Sequence, residues 1–367
     1  LETQTYTGEP IEASFLVRRD PNIRLYLNTD YEATYHNNTD IGTASITVIG
    51  KGNYTGTISG TFQIQERSIN DRNVRISITE PLEYTGAAIK PPISISLVIN
   101  DASLSVNRTL VEGTDYRVNF DASDIRNKVV GKGRLTITGI NGYKDTTSEQ
   151  TFTIEPRNIN TEYLKVISRE SGNVSYDFIN TDPMDRFYIY NGESREPKFD
   201  VSYGGEGLGM GGQINGILDL VESDGDYEVK YIDSDKVGMA EAQITGKGNF
   251  TGTKSVYYVI KGCLDDYGQP NAFTEIEIPD QIYTRKAITP GNATVTFAGK
   301  ELAEGSEFII DPERCRNNIE VTNANSKAVA IVEGYGDYYY GSGRVEFEIL
   351  PLELNQGDDY LQEHQYT

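Results

Sequence analysis

The sequence is poor in the residues that most catalytic and metal sites use. It contains two histidines, two cysteines and no tryptophan among 367 residues. His36 and His364 lie far apart and in no recognisable motif, so a Ser/His/Asp or Cys/His site is hard to assemble. Neither cysteine has a near partner, which removes the usual zinc-ligand spacings. We therefore expect a protein that is not an enzyme.

The two cysteines, Cys263 and Cys315, both fall in the last third of the chain. They leave two outcomes open, a disulfide between them or two free thiols. The rest of the chain has no cysteine at all. The fold as a whole therefore does not depend on disulfides.

Basic residues and long apolar runs are also scarce. With 33 Lys and Arg against 55 Asp and Glu, the formal net charge is −22. Such a charge argues against nucleic-acid binding, which needs a basic face. No apolar run approaches the roughly 18 residues that a membrane span needs. No signal peptide is visible and residue 1 is Leu, so we expect a segment of a longer extracellular chain.

Internal repetition is the strongest positive feature of the sequence. Residues 42–64 read GTASITVIGKGNYTGTISGTFQI, and residues 238–260 read GMAEAQITGKGNFTGTKSVYYVI. Looser copies occupy residues 131–154 and 327–349. The turn glycines Gly50, Gly139, Gly246 and Gly334 recur at about the length of one β-sandwich domain. The chain therefore consists of four related units.

Each copy shows the alternation of a strand with one buried face. Ala44, Ile46 and Val48, for example, alternate with polar residues before the glycine-rich turn. The alternation after the turn predicts four equivalent core aromatics, Phe62, Phe152, Tyr258 and Phe347. Two further motifs recur in each unit with substitutions, an early Tyr-Thr-Gly and a middle Gly-Thr-Asp-Tyr. The acidic residue of the middle motif is expected to bond backbone amides.

These motifs predict an all-β chain of four tandem immunoglobulin-like β-sandwich domains arranged as an elongated rod. The predicted domains are 1–67, 68–157, 158–262 with a Gly-rich insertion at 202–216, a divergent 263–353, and a tail at 354–367. Their linkers are short, which favours a semi-rigid rod. The first domain lacks the opening strand that Val74–Ile78 supplies in the second, so we expect an exposed sheet edge there.

The order YTG, GTDY, GKGNYTGT and a TFxI strand resembles the tandem immunoglobulin-like repeats of large bacterial surface proteins, of the type often called YDG or MBG. The likeness covers nearly all of the chain, although Arg285 replaces the glycine of the fourth YTG. This resemblance implies a long extracellular protein in which such repeats act as spacers or adhesive modules. It supplies no catalytic residues.

Two groups of residues are candidate sites. Tyr335, Tyr338, Tyr339 and Tyr340 cluster in the divergent unit, where exposed tyrosines could recognise a glycan or a host protein. Asp224, Asp226, Asp233 and Asp235 place oxygen ligands in adjacent turns, which suits calcium although no loop motif is complete. Both groups have a plainer reading, as ordinary strand and turn residues of an acidic protein.

Three functions are compatible with these observations. The first is a structural stalk or spacer, whose partners are neighbouring domains of the same long chain. The second is an adhesin module that binds a glycan or a host protein. The third is a virion or other assembly component in which sheet edges mediate packing. The lack of a recognisable catalytic motif and the short linkers favour the stalk.

Overall fold

The computed structural model describes residues 1–100, 104–169, 182–204, 217–266 and 268–354. Throughout these residues the regular structure is β-strand, with four short 3₁₀ helices and no α-helix. The chain divides into two compact units. The first contains Leu1–Asn158 and the turn Gly248–Thr251; the second contains Ile159–Gly204, Asp219–Lys247 and the residues from Gly252 onward.

The first repeat has six strands. They are β1 (Gln4–Thr5), β2 (Val17–Asp20), β3 (Ile23–Leu25), β4 (Tyr31–His36), β5 (Gly42–Gly50) and β6 (Thr57–Gln65). One sheet has the order β1-β6-β5-β4, in which β1 runs parallel to β6 and the other pairs are antiparallel. The second sheet is the hairpin β2-β3.

The second repeat has the same arrangement with an added strand. Its elements are β7 (Arg67–Ser68), β8 (Val74–Ile78), β9 (Leu82–Glu83), β10 (Ile93–Asn100), β11 (Ser105–Thr109), β12 (Tyr116–Asn119), a 3₁₀ helix (Ile125–Asn127), β13 (Gly131–Gly139), β14 (Tyr143–Lys144) and β15 (Gln150–Glu155). The sheets are β9-β15-β13-β12 and β8-β10-β11. Buried residues from both sheets, such as Leu97 and Phe152, form one core between them.

The third repeat follows the same plan. Its elements are β16 (Arg157–Asn158), β17 (Leu164–Ser168), a 3₁₀ helix (Pro183–Asp185), β18 (Phe187–Ile189), β19 (Phe199–Tyr203), β20 (Leu218–Leu220), a 3₁₀ helix (Glu222–Asp224), β21 (Tyr227–Ile232), β22 (Gly238–Gly246), β23 (Phe250–Thr251) and β24 (Thr253–Cys263). Its sheets are β18-β24-β22-β21 and β17-β19-β20. Most of the Gly-rich insertion predicted at 202–216 lies outside the described residues.

The fourth repeat completes the series. Its elements are β25 (Asp265–Asp266), β26 (Gln269–Pro270), β27 (Thr274–Glu277), β28 (Gln281–Ile282), β29 (Thr294–Phe297), β30 (Lys300–Glu301), β31 (Phe308–Ile310), a 3₁₀ helix (Pro312–Arg314), β32 (Ala328–Gly334), β33 (Tyr339–Tyr340), β34 (Ser342–Phe347) and β35 (Ile349–Leu350). The sheets are β31-β32-β34 and β27-β29-β30, and β28 pairs with β35 in parallel.

The strand registers confirm the prediction of four equivalent aromatics. In each repeat a small residue lies opposite a buried aromatic ring: Ala44 opposite Phe62, Gly133 opposite Phe152, Ala240 opposite Tyr258, and Ala328 opposite Phe347. All four rings are buried. A small partner is needed because the ring lies across it; a Cβ on Gly133 would overlap Phe152. The chain is therefore a tandem array of immunoglobulin-like β-sandwiches.

The middle motif also acts as predicted. The carboxylates of Asp30, Asp115, Asp226 and Glu307 accept a hydrogen bond from the backbone N–H four or five residues earlier, at 2.8–3.0 Å. The backbone carbonyl of each then accepts the N–H that follows the turn glycine, as in Lys51 to Asp30 at 2.8 Å. The motif thus joins two turns at the same end of each sandwich.

The first repeat has the open edge predicted from its sequence. In the second repeat β8 covers one side of β10, with Ile76 opposite Ile95. Among the described strands of the first repeat, β2 has β3 as its one partner. Leu16 and Ile23 beside this hairpin are 57% and 44% exposed. The first repeat consequently has two small core clusters rather than one.

Candidate functional site: the junctions between repeats

The tyrosine of each Tyr-Thr-Gly motif lies at the end of its sandwich from which the linker continues to the next repeat. The short parallel strand that precedes it pairs with the last strand of the repeat. The backbone N–H of the tyrosine then donates to that last strand at 2.9 Å, as Tyr6 does to Gln65. The same 2.9 Å bond forms at Tyr84, Tyr190 and Tyr283. The ring is thereby placed beside the start of the next repeat.

At the first junction, the Tyr6 ring lies edge-on against Tyr143 of the second repeat, with centroids 5.5 Å apart. The linker strand β7 pairs in parallel with β14, which contains Tyr143. Arg67, 5% exposed, connects these parts. Its Nε donates to the Tyr6 carbonyl at 2.7 Å, and its Nη1 contacts Asp71 Oδ2 at 2.6 Å.

The same contacts recur at the end of the second repeat, within the first compact unit. Arg157 Nε donates to the Tyr84 carbonyl at 2.6 Å. The Tyr84 ring lies edge-on against Phe250, with centroids 5.4 Å apart. The linker strand β16 pairs in parallel with β23, and Arg157 N donates to the Asn249 carbonyl at 3.0 Å. The first two junctions thus share the same three groups: a linker arginine, a motif tyrosine and a turn aromatic.

The junction before the fourth repeat, within the second unit, replaces the arginine with aromatic packing. Here Gly262 occupies the register of Arg67, because its N–H donates to Tyr338, the residue before the turn aromatic Tyr339. A Cβ on Gly262 would lie 2.8 Å from the Tyr339 ring. Phe297 fills the space, with its centroid 5.5 Å from Tyr190 and 5.8 Å from Tyr339.

Two glycines allow the first and second repeats to approach each other closely at the first junction. Gly8 follows Tyr6 in the Tyr-Thr-Gly motif at φ +78°, and a Cβ there would overlap the Arg108 guanidinium of the second repeat. Gly142 lies under the Tyr6 ring, which a Cβ would also overlap. The close approach of the two repeats at this junction is the reason why both residues lack a side chain.

Tyr143 is buried at the first junction, and its hydroxyl makes no hydrogen bond in the described structure. Burial raises the pKa of Tyr143 to about 12, and Asp115 and Tyr6 add to the increase while Arg108 opposes it. In the unfolded chain the group titrates near pH 10. Its contribution to stability is therefore complete below pH 10 and is lost between pH 10 and 12.

We expect Tyr143→Phe to remove part of the alkaline destabilisation. Two pKa units correspond to about 2–3 kcal/mol, so the variant should exceed the parent by about that amount at pH 12 and match it at pH 8. Phe250 already fills this position in the third repeat. Urea denaturation at pH 8 to 12 measures the difference. Equal loss of stability in parent and variant would contradict the assignment.

The four predicted recognition tyrosines have different environments. Tyr335 is 50% exposed, whereas Tyr339 is 4% exposed and belongs to the junction. Tyr340 lies edge-on to Phe187, with centroids 6.5 Å apart, and Tyr338 is half-buried against the core. The four tyrosines therefore do not form one exposed cluster, because Tyr339 is the turn aromatic of the junction and is buried there like Tyr143 and Phe250.

The structure gives the four predicted calcium ligands separate environments. The Asp226 carboxylate accepts the Val221 N–H at 3.0 Å, and Asp233 pairs with Lys236 at 2.8 Å. Asp224 belongs to a 3₁₀ helix, and Asp235 lines a cleft beside Tyr339. In the part of the chain that the structure describes, no three or more acidic, His or Cys side chains are grouped to hold a metal. The contacts of Asp226 and Asp233 are those of turn residues.

The two cysteines are free thiols, so the disulfide is not formed. The thiol of Cys263 is directed to the Asp265 carbonyl at 3.4 Å, in the linker. Cys315 is buried in the fourth core, where its thiol is directed to the Asp311 carbonyl at 3.5 Å. Burial raises the pKa of the Cys315 thiol.

Comparison with known proteins gives only weak likenesses. No protein-family model and no curated protein matches the chain. The protocadherin GammaB4 extracellular domain is 11% identical, with 96% of this chain and 65% of that chain covered and a TM-score of 0.21. A titin I-band fragment, I67–I69, is 10% identical, with 71% of this chain and 95% of that chain covered and a TM-score of 0.23. Drosophila N-cadherin EC1-4 is 12% identical, with 96% of this chain and 99% of that chain covered and a TM-score of 0.18. The strand pairing of the chain itself therefore defines the fold.

One observation bears on the membrane. Among the described residues, no helix has the length and apolar character to span a bilayer.

Proposed function

We propose that this chain is a non-catalytic stalk or spacer segment of an extracellular bacterial surface protein, built from repeats of the YDG or MBG type. The observation that carries the proposal is the recurring junction. Tyr6, Tyr84 and Tyr190 each pack against an aromatic ring, and each linker pairs in parallel with the following turn.

Such junctions suit a spacer because they limit hinge motion. A linker that is free to rotate makes few contacts, and relative motion of domains is then the default. Here the linker backbone is itself hydrogen-bonded, and the arginines Arg67 and Arg157 are almost fully buried. Contacts of this kind between neighbouring repeats are what a spacer requires.

Small-angle scattering tests the stalk. Strands of about seven residues span roughly 23 Å, and loops at both ends bring each repeat to about 35–40 Å. Four repeats joined end to end are therefore expected to reach about 140–160 Å. A compact chain of this length would have a radius of gyration near 21 Å. We expect the long dimension and a radius well above the compact value. A radius near 21 Å would contradict the stalk.

The adhesive alternative is favoured by one feature, a cleft of about 330 Å³. Its lining includes Tyr190, Asp235, Phe297, Lys300 and Tyr339. Aromatic walls with a few polar groups are typical of small-molecule sites. However, Lys300 already pairs with Glu307 at 2.5 Å, and the rings of Phe297 and Tyr339 are almost fully buried. We therefore prefer the stalk.

A further inference from the structure

The third repeat has an asparagine where the other repeats have the threonine of the Tyr-Thr-Gly motif. In those three repeats the threonine hydroxyl accepts the backbone N–H two residues later, as Thr7 does from Glu9 at 3.1 Å. Asn191 forms the same turn, because its side-chain Oδ1 accepts the Glu193 N–H at 3.1 Å. The asparagine therefore keeps the turn but places a side-chain amide directly before Gly192.

An asparagine before a glycine can undergo a reaction that threonine cannot. The backbone nitrogen of Gly192 attacks Cγ of Asn191 and closes a five-membered succinimide ring, and glycine favours this closure because no Cβ crowds its nitrogen. The side-chain nitrogen takes up the displaced amide proton and leaves as ammonia. Water then opens the ring, at Cγ to give aspartate or at the main-chain carbonyl to give isoaspartate. One water is consumed and one ammonia is released, so no further reactant is needed.

The contacts of Asn191 favour this reaction. Negative charge develops on Oδ1 as the nitrogen of Gly192 attacks, and the Glu193 N–H already points at that atom. Donors placed in advance in this way stabilise developing charge. Within the described part of the chain, the departing Nδ2 of Asn191 and the N–H of Gly192 have no hydrogen-bond partner to hold them. Both residues are exposed, so water reaches the ring as it forms.

The dipeptide Asn141-Gly142 is identical in sequence but has contacts that oppose the reaction. Asn141 Nδ2 donates to the Thr114 carbonyl at 2.5 Å, so the departing group is held. Gly142 is buried under the Tyr6 ring, and its carbonyl accepts the Arg67 N–H at 3.1 Å. Ring closure at this dipeptide must break the side-chain hydrogen bond and move a buried backbone. The structure thus separates two dipeptides that are equivalent by composition.

We propose that Asn191 is a site of spontaneous deamidation, and that isoaspartate there loosens the junction before the fourth repeat. The Tyr190 ring packs at that junction against Phe273 and Phe297, with centroids 5.3 and 5.5 Å away. Gly192 also lies close to Phe273, since a Cβ on it would be 3.3 Å from the ring. Isoaspartate adds one atom to the main chain between these two contacts and shifts one against the other. The change is one-way, and it goes beyond the stalk function because it limits how long this junction stays intact.

Peptide mapping of the folded full chain, aged at pH 7 and at pH 9, tests the reaction. Trypsin places the two dipeptides in separate peptides, residues 187–195 and 135–144, and places Asn215-Gly216, outside the described residues, in a third. We expect residues 187–195 to gain aspartate and isoaspartate at least about tenfold faster than residues 135–144, because a hydrogen bond must break in the latter. The rate should rise with pH, since the attacking nitrogen reacts after losing its proton. In urea the two peptides should react alike.

Scanning calorimetry of the same aged samples tests the effect on the junction. The aged parent should contain a population, equal to its isoaspartate fraction, whose transition is lowered by about 4–8 °C, the shift expected for loss of an aromatic contact. Asn191→Thr restores the residue of the other repeats and should show neither the products nor the shift. Asn191→Asp has the charge of the first product without the lengthened chain, and when fresh it should unfold like the fresh parent.

Equal rates for the two dipeptides in the folded chain would overturn the assignment of Asn191. So would unmodified Asn191 in a folded chain whose urea-treated counterpart reacts. Isoaspartate at this position with an unchanged transition would refute the effect on the junction. A lowered transition in aged Asn191→Thr would place the cause at another residue.

Discussion

Replacing Arg67 with alanine is expected to separate the unfolding of the first repeat from that of the second. Arg67 is buried, bonds the Tyr6 carbonyl and pairs with Asp71. Removing the Arg67 side chain takes a hydrogen-bond donor from the Tyr6 carbonyl and from the partly exposed Asp71 carboxylate, which costs about 2–3 kcal/mol. Tyr6 then loses the group that holds its backbone beside Tyr143.

Scanning calorimetry measures this effect. The parent should unfold its first two repeats in one transition, and the variant in two, the earlier at a lower temperature. Arg72→Ala is the matched control, because Arg72 lies in the same linker and is exposed. Superposable traces for the parent and Arg67→Ala would show that the junction does not couple the repeats.

The second large effect is expected in the core of the second repeat. Phe152 is fully buried opposite Gly133, so Phe152→Ala should lower the free energy of unfolding by about 3–5 kcal/mol. Gly133→Ala should also destabilise, since its Cβ would overlap the ring. In the Phe152→Ala background the same Gly133→Ala change should become nearly neutral, because the added methyl then enters the vacated space.

Urea denaturation of the two single variants and the double variant completes this cycle. Thr151→Ala, an exposed change on the same strand, is the control and should stay within about 0.5 kcal/mol of the parent. Additive effects of Phe152→Ala and Gly133→Ala would mean that the ring does not lie over the glycine.

The sequence was sufficient to predict the strands and their cores. Alternation is local and follows from the period of a strand, so Phe62 and its three counterparts were predictable one repeat at a time. The turn carboxylates were predictable for the same reason, since Asp30 bonds an N–H only four residues away. The open edge of the first repeat followed from comparing repeats.

The junctions were beyond such reasoning because their contacts join distant residues. Arg67 and Tyr6 are 61 residues apart. An arginine five residues after Phe62 and again after Phe152 was the available signal. At the third junction the same count reaches Cys263, whereas the structure places Gly262 in that register. The linker before the fourth repeat is one residue shorter than the first two linkers. The sequence alone does not show which linker residue pairs with the turn aromatic.

The similarity of the strand pairs β5–β6 and β22–β24 has a consequence for folding errors. Tandem repeats misassemble when a strand of one domain completes its neighbour, and the hazard grows with the similarity of adjacent domains. Here the two most similar copies, residues 42–64 and 238–260, are separated by the second repeat, whose copy at residues 131–154 is looser. While the chain is being made, each nascent repeat therefore has an unlike neighbour. The order of the copies itself protects against strand exchange.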